Sequence, residues 1–371
     1  MDFAFTEEQE ALGALAAQIL EREVTLERLQ EVEGGREWFD RKLWGELARA
    51  NLLGVAVPED AGGGGFGFLE LCVLLEQVGR TVAPIPIVPT LLGALVVARF
   101  GTDEQCTRIL PAIVDGDAVL SLALVEPGGD DPLTVATRGT RTGDGWRLDG
   151  EKTCVAAAHV ADHLLVPAST DDGVAVFLIS AGASGVALEQ QVAPSGEPLS
   201  RVVLTEAFAH DRDRLAGPGL LEWLVARVTV ALCAVEVGVA DRALQLTAEY
   251  TAQRVQFERP IATFQAVQQR AADAYIDVLA MRWCMWNAAW RLDEGLPADD
   301  DVTVAKFWAS EAGHRVVSAA QHLHGGVGVD LSYPLHRYWL WSKQIEVALG
   351  GATKQLARLG ARMASESALG K

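Results

Sequence analysis

Few residues in the 371-residue chain combine a reactive side chain with an arrangement that concentrates chemistry. Glu236 sits among Val235, Val237 and Val239, where desolvation raises a carboxylate's pKa and suits it to remove a proton. The plainer alternative is a hydrogen bond or ion pair between helices, with Arg227 or Arg242 as partner. Gly325-Gly326-Val327-Gly328 lets backbone approach something flat or charged. It closes a helical stretch instead of following a strand, so it is not the phosphate turn of a dinucleotide fold. The run from Ala61 to Gly67 has no Lys-Ser/Thr after it and no strand before it, and reads as a flexible interhelical loop. Trp283, Trp286 and Trp290, with Met281 and Met285, recur at threes and fours, a spacing read as core or subunit interface before an aromatic cofactor box. His322, His324 and His336 lack a completing carboxylate pair, and Cys72, Cys106, Cys154, Cys233 and Cys284 are odd in number and widely spaced. Neither a metal site nor a disulfide frame is expected, and each cysteine reads as a small buried apolar residue.

These groups must be held by elements that the hydrophobic periods define. Thr6-Glu7-Glu8-Gln9 has the form of a capping box before Leu12, Leu15, Ile19 and Leu20, and helical spacing recurs at 38–53, 67–81 and 103–114. Near residue 117 the texture changes to short strands, at Ala118–Val125, Gly145–Leu148, His163–Val166, Val174–Ile179 and Arg201–Leu204, separated by turn residues. From Gly219 long helices return, over Leu220–Arg254, Thr263–Leu292, Asp301–His324 and Tyr338–Ala364. The expected fold class is therefore α+β: a helical domain over 1–115, an antiparallel β domain over 116–215, and a bundle of long helices over 216–371. Helices of that length exceed what a small lobe covers, so the bundle is expected to pack against other subunits as well.

Composition narrows the partners. Lys plus Arg number 31 against 50 Asp plus Glu, a net charge of −19, which repels nucleic acid and anionic membrane surfaces. No apolar run is read as reaching the ~18 residues of a membrane span, and the acidic start MDFAFTEEQE is unlike a signal peptide, so the expected location is the cytoplasm.

Three motifs follow in order: Arg254-Val255-Gln256-Phe257 and its flanks from Tyr250 to Gln265, then His324-Gly325-Gly326-Val327-Gly328, then Tyr333-Pro334-Leu335-His336-Arg337-Tyr338. Together they closely resemble the acyl-CoA dehydrogenase family. The resemblance extends to Glu126-Pro127-Gly128 and Gly150-Glu151-Lys152, so it spans essentially the whole chain. It implies bound FAD, an acyl-CoA substrate, α,β-desaturation, tetramers, and an acceptor such as electron-transfer flavoprotein. Such a reaction needs a general base, because water alone removes a carbon-bound proton too slowly. The base usual in the family falls here on Leu349, six positions after Lys343, and the base of a smaller branch falls on Val228. Both are apolar, so no catalytic base is assigned, and Glu236, two helical turns beyond Val228, is an imperfect substitute.

The resemblance also sorts the flavin contacts. The ring-side positions read Val125 (usually Thr), Asp131 (usually Ser), Cys154 (usually Trp) and Ala156 (usually Thr or Ser), and that set is lost. The set given to a neighbour's pyrophosphate and adenine half is kept in Arg254, Phe257, Gly325 and Gly326, with His322 where Gln is usual. A chain that keeps only its contribution to a neighbour resembles the base-deficient subunit of actinobacterial, steroid-degrading acyl-CoA dehydrogenases. Those are heterotetramers with two copies of each subunit type, in which FAD is shared and the partner carries the catalytic Glu. Two alternatives remain at this point: a homotetrameric flavoenzyme using Glu236 or another carboxylate, and a flavin-free structural homologue.

Overall fold

A computed structural model describes residues 4–129 and 131–369; the opening Met1-Asp2-Phe3 lies outside the described residues. Contacts group Ala14–Leu71 with Pro84–Val228 in one compact unit, and the rest of the described chain in a second.

Helix α1 (Glu7–Glu23) divides between the two units at Gly13 and begins with the capping box read from the sequence: the Gln9 amide donates to Thr6 Oγ1 at 3.2 Å and the Thr6 amide to Gln9 Oε1 at 3.0 Å. Helices α2 (Leu26–Glu33) and α3 (Arg41–Arg49) are capped by Thr25 and Asp40. The Gly-rich loop after α3 is tied down where a flexible one was expected. Gly64 donates to the Gly54 carbonyl and Phe66 to that of Val55, and a Cβ on Gly63 would collide with the Val57 backbone. Helix α4 (Phe68–Thr81), of which only Phe68–Leu71 groups with the first unit, leads to α5 (Ile87–Phe100), which is apolar nearly all round, and then to α6 (Asp103–Val114), capped by Thr102. Gly93 lets α5 lie against Leu120 and Leu165 of the sheet, and Thr90 Oγ1 donates to the Leu120 carbonyl at 3.1 Å.

The sheet comprises β1 (Leu120–Leu122), β2 (Arg138–Thr142), β3 (Gly145–Ala156), β4 (His163–Thr170), β5 (Gly173–Ser180), β6 (Val186–Val192), β7 (Pro198–His210) and β8 (Arg214–Leu215). Its order is β6-β7-β3-β2-β4-β5-β8, with β1 on β4. Most ladders are antiparallel, as the short strands and tight turns suggest. Two pairings are parallel and make the sheet mixed: β1 with β4, and Arg138 of β2 with Ser169 of β4. The cause is connectivity. The chain enters β1 from the helical segment and completes the β2–β3 hairpin before it returns beside β1 as β4, which is the long crossover that a parallel pair requires. Trp146, Leu148, Val166, Phe177, Val202 and Leu204 lie in the core of this sheet.

The second unit contains the body of α7 (Leu220–Gln253), then α8 (Gln265–Asp293), α9 (Asp299–His324), α10 (Leu335–Val347) and α11 (Ala352–Leu369). Helices α4 and α7 cross at backbone contact. A Cβ on Gly79 would strike the Val235 carbonyl, and one on Gly238 the Glu76 carbonyl. Around the crossing, Arg282 bridges Glu76 at 2.9 Å and Asp241 at 3.3 Å, and Arg80 pairs with Asp241. Against the expectation for any run here, α7 is long and apolar enough to cross a bilayer; 78% of its most apolar window is buried within the protein, which marks the core helix of a bundle.

The expected helix over Tyr338–Ala364 is two helices. Leu349 adopts φ +57° and Gly350 φ +92°, a left-handed stop after α10. Gln355 Nε2 holds the turn by donating to the Leu349 and Gly350 carbonyls at 3.1 and 2.9 Å. The aromatic stripe also divides: Met281, Met285 and Trp286 are buried, whereas Trp283 is 50% exposed. All five cysteines are free thiols; of the five expected to be buried, Cys72 and Cys233 are, Cys106 and Cys284 are partly buried, and Cys154 is exposed.

Candidate functional site

The residues after α7 form a strained, exposed hairpin. Val255–Gln256 (β9) pairs antiparallel with Arg259–Pro260 (β10), leaving Phe257 and Glu258 as a two-residue turn with φ of +50° and +66°. Turns with two positive φ values favour Asn-Gly, because a Cβ at either position costs about 1 kcal/mol or more. Here the first is a phenylalanine, 88% exposed. Strain and apolar exposure at one residue point to a ligand or partner. Arg254, at the base of this hairpin, is exposed, and its guanidinium makes no hydrogen bond among the described residues.

The end of α9 supplies the second segment. Gly325 has φ +59° and ψ −136°, a conformation open essentially to glycine alone, and a Cβ on Gly325 or Gly326 would meet nothing within 4 Å. Both glycines are exposed, as is His322 one turn before Gly326. Gln321 Oε1, beside Gly328, is buried without a hydrogen-bond partner.

Three rings join the two segments. The His324 ring, 3% exposed, stacks on Tyr250 with centroids 4.4 Å apart and planes 22° apart. Its Nδ1–H donates to the Ala320 carbonyl at 2.8 Å, which leaves Nε2 to accept the Tyr333 hydroxyl at 3.1 Å. Burial lowers the imidazole's pKa and keeps it neutral, consistent with that tautomer. Tyr250 lies one turn before Arg254, whose amide donates to its carbonyl at 2.8 Å, and His324 immediately precedes Gly325. Both tyrosines lie in the motif runs, but the sequence carried no sign of their stacking.

The positions expected to carry a base lie elsewhere. Val228 is buried in α7, and Leu349 is the buried left-handed residue after α10. Glu236 is 0% exposed. Its Oε1 accepts the Ser342 hydroxyl at 2.6 Å, Gly313 is pressed against the same oxygen, and Oε2 has no partner. Ser342, and not Arg227 or Arg242, is thus its hydrogen-bond partner. Burial raises its pKa to about 8, against smaller opposing effects of the Ser342 hydrogen bond and the Lys306 charge. Lys306, itself 0% exposed, donates to the Ile345 carbonyl at 2.6 Å and caps the end of α10.

In the sheet unit, the Val125 carbonyl accepts the Thr153 amide at 2.8 Å, which sets Val125 beside the end of β3 that carries Cys154 and Ala156. Cys154 is exposed with φ +54°, at a register shift between β3 and β7, and its amide donates to Gln191 Oε1 at 3.0 Å. Asp131 begins a turn in which its carboxylate accepts the Leu133 amide at 3.2 Å. Glu126 and Lys152, from the two motifs of the β domain, meet at 2.7 Å, a pairing that the sequence reading missed.

The acyl-CoA dehydrogenase N-terminal domain matches residues 6–117, and the family's C-terminal domain matches residues 223–364. Acyl-CoA dehydrogenase FadE27 of Mycobacterium tuberculosis is 43% identical over 377 aligned positions, covering 99% of this chain and all of the relative. The chain belongs to the acyl-CoA dehydrogenase family. Among solved structures, one chain of the ChsE4–ChsE5 complex from Mycobacterium tuberculosis superposes with a TM-score of 0.94 at 43% identity, covering 98% of this chain and 99% of that one. A variant of the Tcur3481–Tcur3483 steroid acyl-CoA dehydrogenase gives 0.93 at 46% identity, with the same coverage. Acyl-CoA dehydrogenases are FAD-dependent oxidoreductases acting on CH–CH bonds. An unpaired arginine, an open glycine turn and an exposed aromatic side chain fit the pyrophosphate and adenine of that cofactor: a guanidinium can donate two charge-assisted hydrogen bonds, and glycines would let backbone amides approach.

Proposed function

We propose that this chain is the base-deficient subunit of a heteromeric, FAD-dependent acyl-CoA dehydrogenase. The carrying observation is the combination of an exposed Arg254–Phe257 hairpin and an open Gly325–Gly326 turn with apolar residues, Leu349 and Val228, at both base positions. Arg254 and the glycine turn bind the pyrophosphate, Phe257 covers the adenine half, and His322 supplies a further polar contact. Bound FAD would supply the hydride acceptor for the β hydrogen of the acyl-CoA. The α proton leaves to a carboxylate of the partner subunit, a second member of the family, and two copies of each subunit form the tetramer. The chain alone is inactive.

The likeness to the steroid acyl-CoA dehydrogenase supports a CoA thioester of a steroid-derived acyl group as substrate, with electron-transfer flavoprotein or a similar acceptor downstream. The working domain limits are 1–115, 116–215 and 216–371, and the assembly works in the cytoplasm. Self-sufficient catalysis by Glu236 fits the geometry poorly, because a carboxylate with no exposed surface meets no substrate.

FAD per chain, measured by absorbance after denaturation, tests the reading. The lone chain is expected to hold little flavin, and its complex with a co-expressed family member about one FAD per two chains. Arg254→Ala should weaken FAD binding by that complex tenfold or more, as expected for lost charge-assisted hydrogen bonds worth about 1.5–3 kcal/mol. One tightly bound FAD per chain in the lone protein would overturn it.

A further inference from the structure

We propose that His324 is a positioning residue for the phosphate-binding surface, acting through Tyr250 and Tyr333 to hold the Arg254 hairpin and the Gly325–Gly326 turn in one fixed relation. The inference rests on the FAD-sharing reading above and assigns a task to side chains that the reading leaves unused. Three segments that leave separate helices converge on this ring: Tyr250 closes the last turns of α7, His324 ends α9, and Tyr333 precedes α10. The His324 ring contacts both tyrosines, with centroids 4.4 Å from Tyr250 and 5.2 Å from Tyr333, and Tyr250 lies 6.4 Å from Tyr333.

Each hydrogen bond of the imidazole orients it. The Nδ1–H bond to Ala320 fixes the ring against its own helix, and the Nε2 lone pair fixes the Tyr333 hydroxyl. Burial raises the Tyr333 pKa as it lowers that of His324, so the phenol stays the donor and the imidazole the acceptor. The stacked Tyr250 ring is thereby clamped one turn before Arg254, whose guanidinium has no partner among the described residues to orient it. A flexible arginine binds a diphosphate weakly because ordering it costs conformational entropy, and a fixed backbone on either side of the anion removes part of that cost.

The test is FAD affinity of the heteromeric complex, titrated by flavin fluorescence, set beside the thermal midpoint of the same preparations. Tyr333→Phe removes one hydroxyl and keeps the ring, so it folds. It should weaken FAD roughly five- to tenfold, the scale of one buried acceptor left unpaired. His324→Gln keeps an acceptor near the Nε2 position but loses the ring stacked on Tyr250 and the Nδ1–H bond to Ala320, so it should weaken FAD at least as much as Tyr333→Phe. The double variant should fall short of the sum of the two losses, because both changes act on one cluster. A lower midpoint with unchanged affinity in Tyr333→Phe would reduce the trio to packing and overturn the inference. If Arg254→Ala weakens FAD while Tyr333→Phe does not, the inference falls and the shared-cofactor reading stands. If neither weakens it, both fall.

Discussion

Replacing Glu126 by glutamine is expected to destabilise the sheet unit by about 3–5 kcal/mol, the usual cost of breaking a buried ion pair from one side. The Lys152 side chain has no exposed surface, and its ammonium donates to Glu126 Oε1 at 2.7 Å. Burial lowers its pKa, and Glu126 alone opposes that, first through the hydrogen bond and then through its charge. The glutamate is better supplied: Oε1 also accepts the Thr137 amide at 2.9 Å and the Thr137 hydroxyl at 2.7 Å, and Oε2 accepts the Ala136 amide at 2.7 Å. Burial pushes the Glu126 pKa up, but the Lys152 ammonium and the Thr137 donors together bring it below the usual 4.5.

The two single changes are therefore unequal. Lys152→Met leaves a carboxylate with three donors, whereas Glu126→Gln leaves a buried ammonium facing an amide. The glutamine variant should melt on the order of 10 °C below the parent, and Lys152→Met should lose clearly less. The double change Glu126→Leu/Lys152→Met should recover most of the loss, since an apolar pair of similar volume often matches a buried ion pair. Melting curves of the four proteins decide it, and equal losses for both single variants would show that the pair is not organised as described. On acidification the carboxylate's stabilisation is complete above pH ~4.5 and is lost as pH falls through its lowered folded-state value.

The elements most legible in the sequence are those whose signals are local. Thr6 and Gln9 announce α1 three residues apart, and α7 runs for 34 mostly apolar residues with no proline to break it. Strand β6 reads Val-Ala-Leu-Glu-Gln-Gln-Val and lies largely exposed, so it has no alternation to detect; β2, Arg-Gly-Thr-Arg-Thr, is more polar still. The end of α10 went unseen because the residue that turns left-handed is a leucine, and the donors that hold it come from Gln355 in the next helix.

The site shows the same division. Arg254, Phe257, Gly325 and Gly326 were identified by motif, and the positive φ values at Phe257 and Gly325 supply a physical reason for the motif. The partners that fix them are far along the chain. Tyr250 and His324 stack across 74 positions, and Ser342 reaches Glu236 across 106, so no window of sequence contains either contact.

Glu236→Gln should make the protein more stable, by a margin that grows with pH. In the folded chain the carboxyl is neutral up to about pH 8, because charging it would place an anion in a site with no exposed surface and one oxygen unpartnered. In the unfolded chain it ionises near 4.5. Between these values the unfolded state has released a proton that the folded state still holds, so stability falls as pH rises, by about 1.4 kcal/mol per unit, and levels off above pH ~8. Glutamine has the shape of the neutral acid, accepts the Ser342 hydroxyl through its carbonyl oxygen, and carries no such penalty. Parent and variant should therefore melt together near pH 4 and separate progressively toward pH 8, the variant higher. The contact with Gly313 supplies an independent check: a methyl at that position would strike Glu236 Oε1, so Gly313→Ala should be strongly destabilising alone and largely tolerated beside Glu236→Ala. Parallel melting profiles across the pH range would mean that Glu236 is charged in the folded protein. Its carboxylate would then have to be open to solvent or to a cation, and its claim to be a catalytic base would revive.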